Sequence, residues 1–333
     1  MSGRCRSTLA PLPADGFSSA ALRRLMGSRR RLPVRLDFTR AEVMRYRGEV
    51  ADRMSISGVQ DKLSVRVVDG KLVPTERDGE FILKPIPGTP LPRFTDQVPA
   101  NEHLTMQMAD QVFGIDTAAN ALLELGDGEP AYLTRRFDRR DGQRLDMEDF
   151  CALAEQSPET HGRNFKYIGS YEGVGRLMRT FCPAYPVEVE KFFARVVFNY
   201  AVGNGDAHLK NFSLLTSPDG DPVLTPAYDL VNTNLHLPHE SPLALDLFAG
   251  DYMTPAFQAL GFHGASDFLL LAERLGIVAA RAERIVLSFT DPGTNQAADA
   301  LVRRSFLSSE AQDIYLAVLQ DRRGALRQKY PVT

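Results

Sequence analysis

The stretch "DAHLKN" at residues 206–211 places an acid, an imidazole, a lysine and an amide within six positions, and "PAYD" follows at 226–229. The segment between them, 212–225, contains "SPDGD", whose turn chemistry predicts a β-hairpin. Because a hairpin returns the chain to its starting point, the two motifs are expected to face each other. Three oxygen-bearing side chains would then converge, namely Asp206, Asn211 and Asp229.

These side chains fit the requirements of phosphoryl transfer from ATP. Asp206 can accept the proton of an attacking hydroxyl, while the Asn211 amide and the Asp229 carboxylate can hold Mg²⁺. Lys210 is placed to neutralise the transferring phosphate, and His208 is interpreted as a hydrogen-bonding residue of the loop because Asp206 already supplies the base. Each residue alone is commonplace in turns and helix caps, so their joint order carries the interpretation.

A lysine and a glutamate upstream suggest a second part of the site. "EFILKP" (80–85) predicts a short buried strand that carries Lys84, and "ANEHLTMQMADQVFG" (100–114) predicts a helix that opens with Glu102. A strand lysine paired with a helix glutamate could orient phosphates. The alternatives are an exposed strand-edge lysine and a glutamate that only favours the helix N-terminus. Lysine is scarce, seven among 39 basic residues, which favours a specific role for Lys84 and Lys210.

Hydrophobic periodicity divides the chain near residue 140. The first part is β-like, with hairpins predicted around Asp69-Gly70 and around 126–128. Amphipathic helices are predicted in the second part, at 145–156, 187–203 and 265–330. The predicted fold class is therefore α+β and bilobal. Its parts are an arginine-rich arm (1–45) that is loosely organised or short-helical, a small β-rich N-lobe with phosphate loop and hinge (46–140), and a larger helical C-lobe with the catalytic and metal loops (141–333).

Composition narrows the class of protein. The 333 residues hold no apolar run of the roughly 20 residues that a membrane span needs, and no apolar region follows the N-terminal arginines. Three scattered cysteines argue against structural zinc and a disulfide scaffold, so a cytoplasmic protein without membrane contact is expected. A net charge of −3 predicts no general affinity for nucleic acid. Residues 22–53 hold ten arginines against four acids, either a solvated face or a contact for DNA or an acidic partner.

The motifs together resemble the HipA-type serine/threonine kinases of bacterial toxin–antitoxin systems. The resemblance rests on "SISGVQDKLSV" (55–65), "FILKP" (81–85), "NEHL" (101–104), "RRFDR" (135–139), "NGDAHLKNFSLL" (204–215) and "PAYDL" (226–230). It covers residues 50 to about 260, and it implies a protein-kinase-like fold, ATP and Mg²⁺ as cofactors, and phosphorylation of a protein serine, typically on an aminoacyl-tRNA synthetase.

The resemblance also implies roles for individual residues. Asp206 and Lys210 would act in catalysis, with Asn211 and Asp229 as metal ligands and the loop 57–62 over the phosphates. The ATP site would comprise Ser57, Gly58, Val59, Gln60, Asp61, Lys62, Lys84, Glu102, Arg135, Arg136, Phe137, His208 and Tyr228, with 135–137 at the adenine hinge. This loop departs from a GxGxxG loop because its single glycine leaves the backbone less permissive.

The motif "SISGVQDK" begins as early as residue 55, and in this respect the chain resembles the short HipT-like toxin of three-gene HipBST-type systems. Such a toxin implies two partners, a small HipS-like protein and a DNA-binding HipB-like antitoxin, with DNA contacted only through the complex. It also points to tryptophanyl-tRNA synthetase as the substrate. The chain has no tryptophan, which would let it be translated while charged tryptophan tRNA runs short, although chance explains this absence equally well.

Ser55 and Ser57 suggest regulation by autophosphorylation. A phosphate on either serine would add roughly two negative charges beside those of the nucleotide, and the repulsion is expected to weaken ATP binding.

Two other functions remain open from the residues. A small-molecule phosphotransferase uses the same order of an acid, an amide and a second acid. It would also need an acidic pocket, and residues 240–260 contain few acids. A catalytically silent, antitoxin-bound repressor subunit is the other alternative. The complete set of Lys84, Asp206, Asn211 and Asp229 argues against it.

Overall fold

The computed structural model describes residues 3–27, 31–51, 62–140, 143–250 and 252–328. In these ranges the strands are β1 (Gly3–Arg4), β2 (Pro11–Leu12), β3 (Leu63–Val68), β4 (Lys71–Pro74), β5 (Phe81–Pro85), β6 (Asn120–Glu124), β7 (Pro130–Arg135), β8 (Arg139–Arg140), β9 (Gln143–Arg144), β10 (Met147–Asp149), β11 (Ser213–Thr216) and β12 (Pro222–Leu224). The helices are α1 (Ser19–Met26), α2 (Arg40–Ala51), α3 (Val98–Gln111), α4 (Phe150–Leu153), α5 (Pro158–His161), α6 (Tyr171–Phe181), α7 (Tyr185–Ala201), α8 (Pro255–Leu260), α9 (Ala265–Arg274), α10 (Ala279–Ser288), α11 (Pro292–Arg303) and α12 (Ser309–Arg327). Short 3₁₀ turns lie at Thr95–Gln97, Phe165–Tyr167, Leu209–Asn211 and Thr233–Leu235.

The N-lobe is built on a five-stranded antiparallel sheet with the strand order β4-β3-β5-β7-β6. The hairpin predicted around Asp69-Gly70 is present, and both turn residues have positive φ, 49° and 79°. This is the backbone geometry that favours an Asp-Gly pair in a two-residue hairpin. The hairpin predicted around 126–128 is also present, as β6 and β7.

One face of this sheet is covered by the N-terminal part of the chain. Val65, Leu83 and Leu133 point to the same face and are buried with Leu25 of α1 and Val43 of α2. Because successive strand residues face opposite sides, the alternation of apolar residues fixes this face. Part of the segment predicted as a loosely organised or short-helical arm thus packs on the N-lobe sheet.

The N-terminal layer uses part of its positive charge within the chain. Arg24 pairs with Asp110, and Arg35 pairs with Glu124 at 2.9 Å. The boundary predicted at residue 45 lies inside α2, which continues to Ala51. The basic patch is therefore smaller than its arginine count suggests.

The opposite face of the sheet packs on α3. Leu122 and Tyr132 face this side and join the larger hydrophobic core, to which Leu104 and Met108 of α3 also belong. The predicted helix 100–114 begins two residues earlier and ends at Gln111. This packing fixes the distance between β5 and α3, the two elements that carry the predicted lysine–glutamate pair.

The C-lobe is arranged around α7. The helix carries the apolar stripe predicted from the sequence, and its five members are fully buried: Phe192, Phe193, Val196, Val197 and Tyr200. Helices α6, α9, α10 and α12 lie around this core, to which Tyr171, Phe268, Val286 and Tyr315 contribute. The predicted catalytic loop follows directly after α7, so a well-buried helix positions it.

The helix predicted at 145–156 is wrong in its first half. Residues 147–149 form β10, which pairs with β11 so that Met147 lies opposite Leu215. The Asp149 carboxylate then accepts a hydrogen bond from the Ala152 amide at 3.1 Å and caps the short α4. The local stripe of apolar residues is typical of a helix, but residues 147–149 form a strand because they pair with β11, far along the chain. Among the described residues, no helix is both long and apolar enough to cross a membrane.

Candidate active site

The two lobes meet at a cluster of three charged side chains. Lys84, on the buried strand β5, places its Nζ 2.6 Å from Oε1 of Glu102 on α3 and 2.5 Å from Oδ1 of Asp229. The side chains of Lys84 and Glu102 are 6% and 3% exposed, whereas that of Asp229 is 39% exposed. The structure therefore brings the predicted strand lysine and helix glutamate together and links them to the predicted metal loop.

Burial and the shared lysine set the charges of this cluster. Burial lowers the pKa of Lys84, but the charges and hydrogen bonds of Asp229 and Glu102 outweigh it, so the net shift is upward. Burial raises the pKa of Glu102 to about 7, because Lys84 compensates it only partly and Asp229 adds repulsion. Burial acts against the charge of Asp229 too, yet the Lys84 ammonium holds the pKa of that carboxyl below its usual value. Glu102 is thus the member that changes charge near neutral pH.

The loop that carries Asp229 is held from behind. The Ala227 amide donates to the Asp116 carbonyl at 2.8 Å, and the Tyr228 hydroxyl donates to the Lys210 carbonyl at 2.9 Å. Asp229 itself has φ 54°, a left-handed conformation that is uncommon outside glycine and that aspartate tolerates better than most residues. The buried Arg195 of α7 donates to the Thr225 carbonyl just before this loop.

The catalytic loop is shaped by two glycines after α7. Gly203 has φ 68°, which ends the helix and turns the chain. The amide of Gly205 donates to Oγ1 of Thr233 at 2.8 Å. A Cβ on Gly205 would lie 2.2 Å from the Ser241 carbonyl oxygen, so only glycine fits there. The Asp206 amide donates to the Asn204 side chain at 3.2 Å, and this fixes the backbone of the predicted base.

The Asp206 carboxylate points outward and is 44% exposed. Its Oδ1 accepts a hydrogen bond of 2.5 Å from the hydroxyl of Tyr167, a residue that the sequence interpretation did not include. His208 packs its ring edge against the Tyr167 ring at 5.1 Å between centroids, and its amide donates to the Asn211 side-chain oxygen at 3.1 Å. The backbone amide of His208 thus contacts Asn211, and its ring lies beside the predicted base.

Asn211 and Asp229 could hold Mg²⁺ together with phosphate oxygens. The Asn211 Nδ2 lies 3.5 Å from Oδ2 of Asp229, while Lys84 occupies the other carboxylate oxygen. Amide and carboxylate oxygens are suitable donors, since Mg²⁺ is bound by one or two carboxylates together with substrate phosphates and water. The described residues hold no group of three or more His, Cys, Asp or Glu that could hold a metal ion. As a ligand, Asn211 would have to turn its amide oxygen toward Asp229.

Lys210 takes a different partner from the one expected. Its Nζ lies 2.5 Å from Oδ2 of Asp149, the residue that caps α4. Asp149 lies in the segment predicted as a helix, and no spacing in the sequence indicates that it reaches Lys210. Lys210 is therefore held at the rim of the site by a carboxylate from another element.

Some of the remaining predicted ATP-site residues lie near Asp229 or Tyr228, some form ion pairs or hydrogen bonds elsewhere, and some lie outside the described residues. Lys62 lies at the start of the N-lobe sheet, and its charge helps to lower the pKa of Asp229. Phe137 lies beside Tyr228 at 5.7 Å between ring centroids. Arg135 instead faces α1 and donates to the Arg24 carbonyl at 3.3 Å. Arg136 pairs with Asp138 at 2.5 Å. The other predicted ATP-site residues lie outside the described residues: Ser57, Gly58, Val59, Gln60 and Asp61. Ser55, predicted only as a site of autophosphorylation, lies outside them too.

Comparison with known proteins identifies the family of the chain. Residues 54–296 match the family described as "HipA-like C-terminal domain". A putative kinase of Haemophilus influenzae is 29% identical over 296 residues, which cover 82% of this chain and 83% of that protein. The serine/threonine-protein kinase toxin HipA of Shewanella oneidensis is 30% identical over 211 residues, which cover 58% of this chain and 46% of that protein.

The fold has a counterpart among solved structures. HipA in a complex with HipB and operator DNA from Shewanella oneidensis MR-1 superposes with a TM-score of 0.63 at 22% identity, covering 86% of this chain and 71% of that chain. The predicted α+β, bilobal, protein-kinase-like fold is thereby confirmed. The family match spans most of the chain and includes the loops predicted to act in catalysis and metal binding. The chain belongs to the HipA-like C-terminal domain family.

Proposed function

We propose that this protein is an ATP- and Mg²⁺-dependent serine/threonine protein kinase that acts as the toxin of a toxin–antitoxin system. The observation that supports this most is the placement of Lys84, which contacts both Glu102 and Asp229. One cation thus joins the N-lobe to the loop that carries Asp229, one of the two proposed metal ligands. Family membership supports the same class of reaction.

The chain's own residues divide the work of transfer. Lys84, held by Glu102, would orient the phosphates, and Asp206 would accept the proton of the acceptor hydroxyl as that oxygen attacks the γ-phosphorus. Asn211 and Asp229 would hold Mg²⁺. When bound, the ion would supply positive charge that offsets the negative charge of the phosphates.

We further propose the short HipT-like form of a HipBST-type system. Its substrate would be an aminoacyl-tRNA synthetase, with tryptophanyl-tRNA synthetase as the specific candidate, and phosphorylation would block translation. Its partners would be a small HipS-like protein and a DNA-binding HipB-like antitoxin, with DNA contacted only through the complex. We place it in the cytoplasm, where ATP and synthetases are available.

Labelling of a bacterial lysate tests the proposed activity. The protein is incubated with lysate and ATP carrying a labelled γ-phosphate, beside the Asp206→Asn variant. We expect one labelled protein band of synthetase size with the wild type and none with the variant. Label in a small molecule would indicate a phosphotransferase, and no label at all would indicate a silent repressor subunit. Purified tryptophanyl-tRNA synthetase then tests the specific substrate.

Autophosphorylation is proposed at Ser55 or Ser57. A phosphate there would repel the nucleotide and lower the affinity for ATP. Intact mass after incubation with ATP is expected to rise by the mass of one or two phosphates, and a variant with alanine at both positions is expected to keep its mass. An unchanged mass of the active wild type, or phosphate confined to other residues, would remove this regulation from the proposal.

A further inference from the structure

The orientation of the Asp206 carboxylate depends on Tyr167. The phenol donates to Oδ1 of Asp206 at 2.5 Å. In the part of the chain that the structure describes, no second donor lies within hydrogen-bonding distance of this carboxylate, since Nε2 of His208 is 3.8 Å from the same oxygen. The backbone of the loop is fixed by Asn204 and Thr233, but those contacts leave the side chain free to rotate.

Tyr167 is itself held in place. The Lys166 ammonium lies 4.9 Å from the centroid of its ring, and the ring edge of His208 packs against it. Phe165 packs against the main core, and the carbonyl of Ile168 accepts a hydrogen bond from the Gln156 side chain at 3.1 Å. The phenol is therefore presented to Asp206 by a segment that is anchored on both sides of it.

The contact occupies one carboxylate oxygen and leaves the other. Oδ1 of Asp206 accepts from Tyr167, and the 44% exposure of the side chain leaves Oδ2 accessible to an acceptor hydroxyl. Burial raises the pKa of Tyr167 well above its ordinary value, and the bond to Asp206 adds to the rise, so the phenol remains a donor wherever the base is charged.

We propose that Tyr167 is a positioning residue that holds Oδ1 of Asp206 and thereby leaves Oδ2 as the atom that accepts the acceptor's proton. The inference rests on the proposed function, because it assigns Asp206 as the base. It excludes the opposite role, in which the phenol takes the place of the acceptor hydroxyl and has to be displaced by the substrate.

Tyr167→Phe tests this role, with Tyr185→Phe as the matched control. Tyr185 also donates one hydrogen bond, to the Leu275 carbonyl at 2.7 Å, and its ring also lies 4.9 Å from a cationic side chain, that of Arg179. The readout is the initial rate of labelled phosphate transfer from ATP to lysate protein, measured against ATP concentration. Thermal unfolding midpoints check that both variants fold.

We expect Tyr167→Phe to lower the maximal rate by about 10-fold with the KM for ATP unchanged. In an Asp206→Asn background the same change is expected to have no further effect, since the phenol acts through that carboxylate. Tyr185→Phe should match the wild type.

Two results would overturn the positioning role. One is a rate for Tyr167→Phe equal to that of the control, and the other is a higher rate, which would show that the phenol competes with the acceptor. Failure of the proposed function gives a different pattern, in which the wild type transfers no label or Asp206→Asn transfers as much as the wild type. That pattern would remove the positioning role together with the base.

Discussion

The two halves of the site are built in opposite ways. On the nucleotide side, Lys84 and Glu102 are almost fully buried and share their charges with Asp229. On the acceptor side, Asp206 is exposed and is held by one phenol, that of Tyr167. The first half is part of the packing between the lobes, whereas the second half lies on the surface of one loop.

This difference separates stability from activity. A buried charge that loses its partner destabilises the fold, because the remaining group stays in a medium of low polarity. An exposed carboxylate can be replaced at little cost, because water solvates whatever remains. Substitutions on the nucleotide side are therefore expected to affect folding and catalysis together, and those on the acceptor side catalysis alone.

Lys84→Met should give the largest effect and the strongest test of this contrast. It leaves Glu102 and Asp229 as two uncompensated acids, which is expected to lower the free energy of unfolding by about 3–5 kcal/mol. Phosphate transfer should be lost as well. Lys71→Met is the matched control, since Lys71 and its partner Asp37 are each 69% exposed. Denaturant unfolding should show no measurable change for this control, and equal losses for both variants would contradict the contrast.

Asp206→Asn should separate the two properties on the acceptor side. Loss of the base is expected to reduce the transfer rate by about 10²–10⁴-fold. The denaturant midpoint should match that of the wild type, because the side chain is exposed and the amide can still accept from Tyr167. A clear loss of stability in this variant would place Asp206 in the packed half instead.

Glu102→Gln should show how protonation of Glu102 affects the stability of the fold. The pKa of Glu102 is about 7 in the folded protein against an ordinary value of 4.5, so folding takes up a proton between these values. The free energy of unfolding should therefore fall as pH rises through this window, and the variant should lack that decline.

The rate of phosphate transfer by the wild type should change with pH in the opposite direction to the free energy of unfolding. It is expected to rise with pH through about 7, because charged Glu102 orients Lys84. Glu102→Gln should remove this rise with pH and lower the rate reached at high pH by about 10-fold. Thermal melts and rates over the same pH series check both effects, and a rise that persists in the variant would assign it to another group.

Much of the fold could be predicted because its signals are local. The Asp69-Gly70 turn sets its own hairpin, and the apolar stripe of α7 needs no distant partner to be recognised. The acid–amide–acid order also survives in the structure, since the hairpin between the motifs is a local element as well.

The remainder depends on contacts between distant parts of the chain. Tyr167 reaches Asp206 from the segment before α6, and Asp149 reaches Lys210 from a strand whose own partner is β11. Neither has a spacing that a sequence pattern could reveal. The N-terminal layer escaped prediction for the same reason, because Leu25 is buried only once the sheet is in place.

Lys210→Met should have the smallest effect on the transfer rate and completes the comparison. Its ion pair with Asp149 is half-exposed, so the free energy of unfolding should change by no more than about 1 kcal/mol. The transfer rate should fall by less than about 10-fold, because water screens a cation at the rim of the site.

Asp149→Asn decides between two roles of Lys210. The amide keeps the cap of α4 but releases the lysine, so the rate should stay within about twofold of the wild type if Lys210 acts on the phosphate. If both variants instead lower the rate equally, the ion pair serves only to hold the loop. The acceptor side would then also contain a charge pair that serves the structure. The two halves of the site would differ only in how strongly substitutions affect stability.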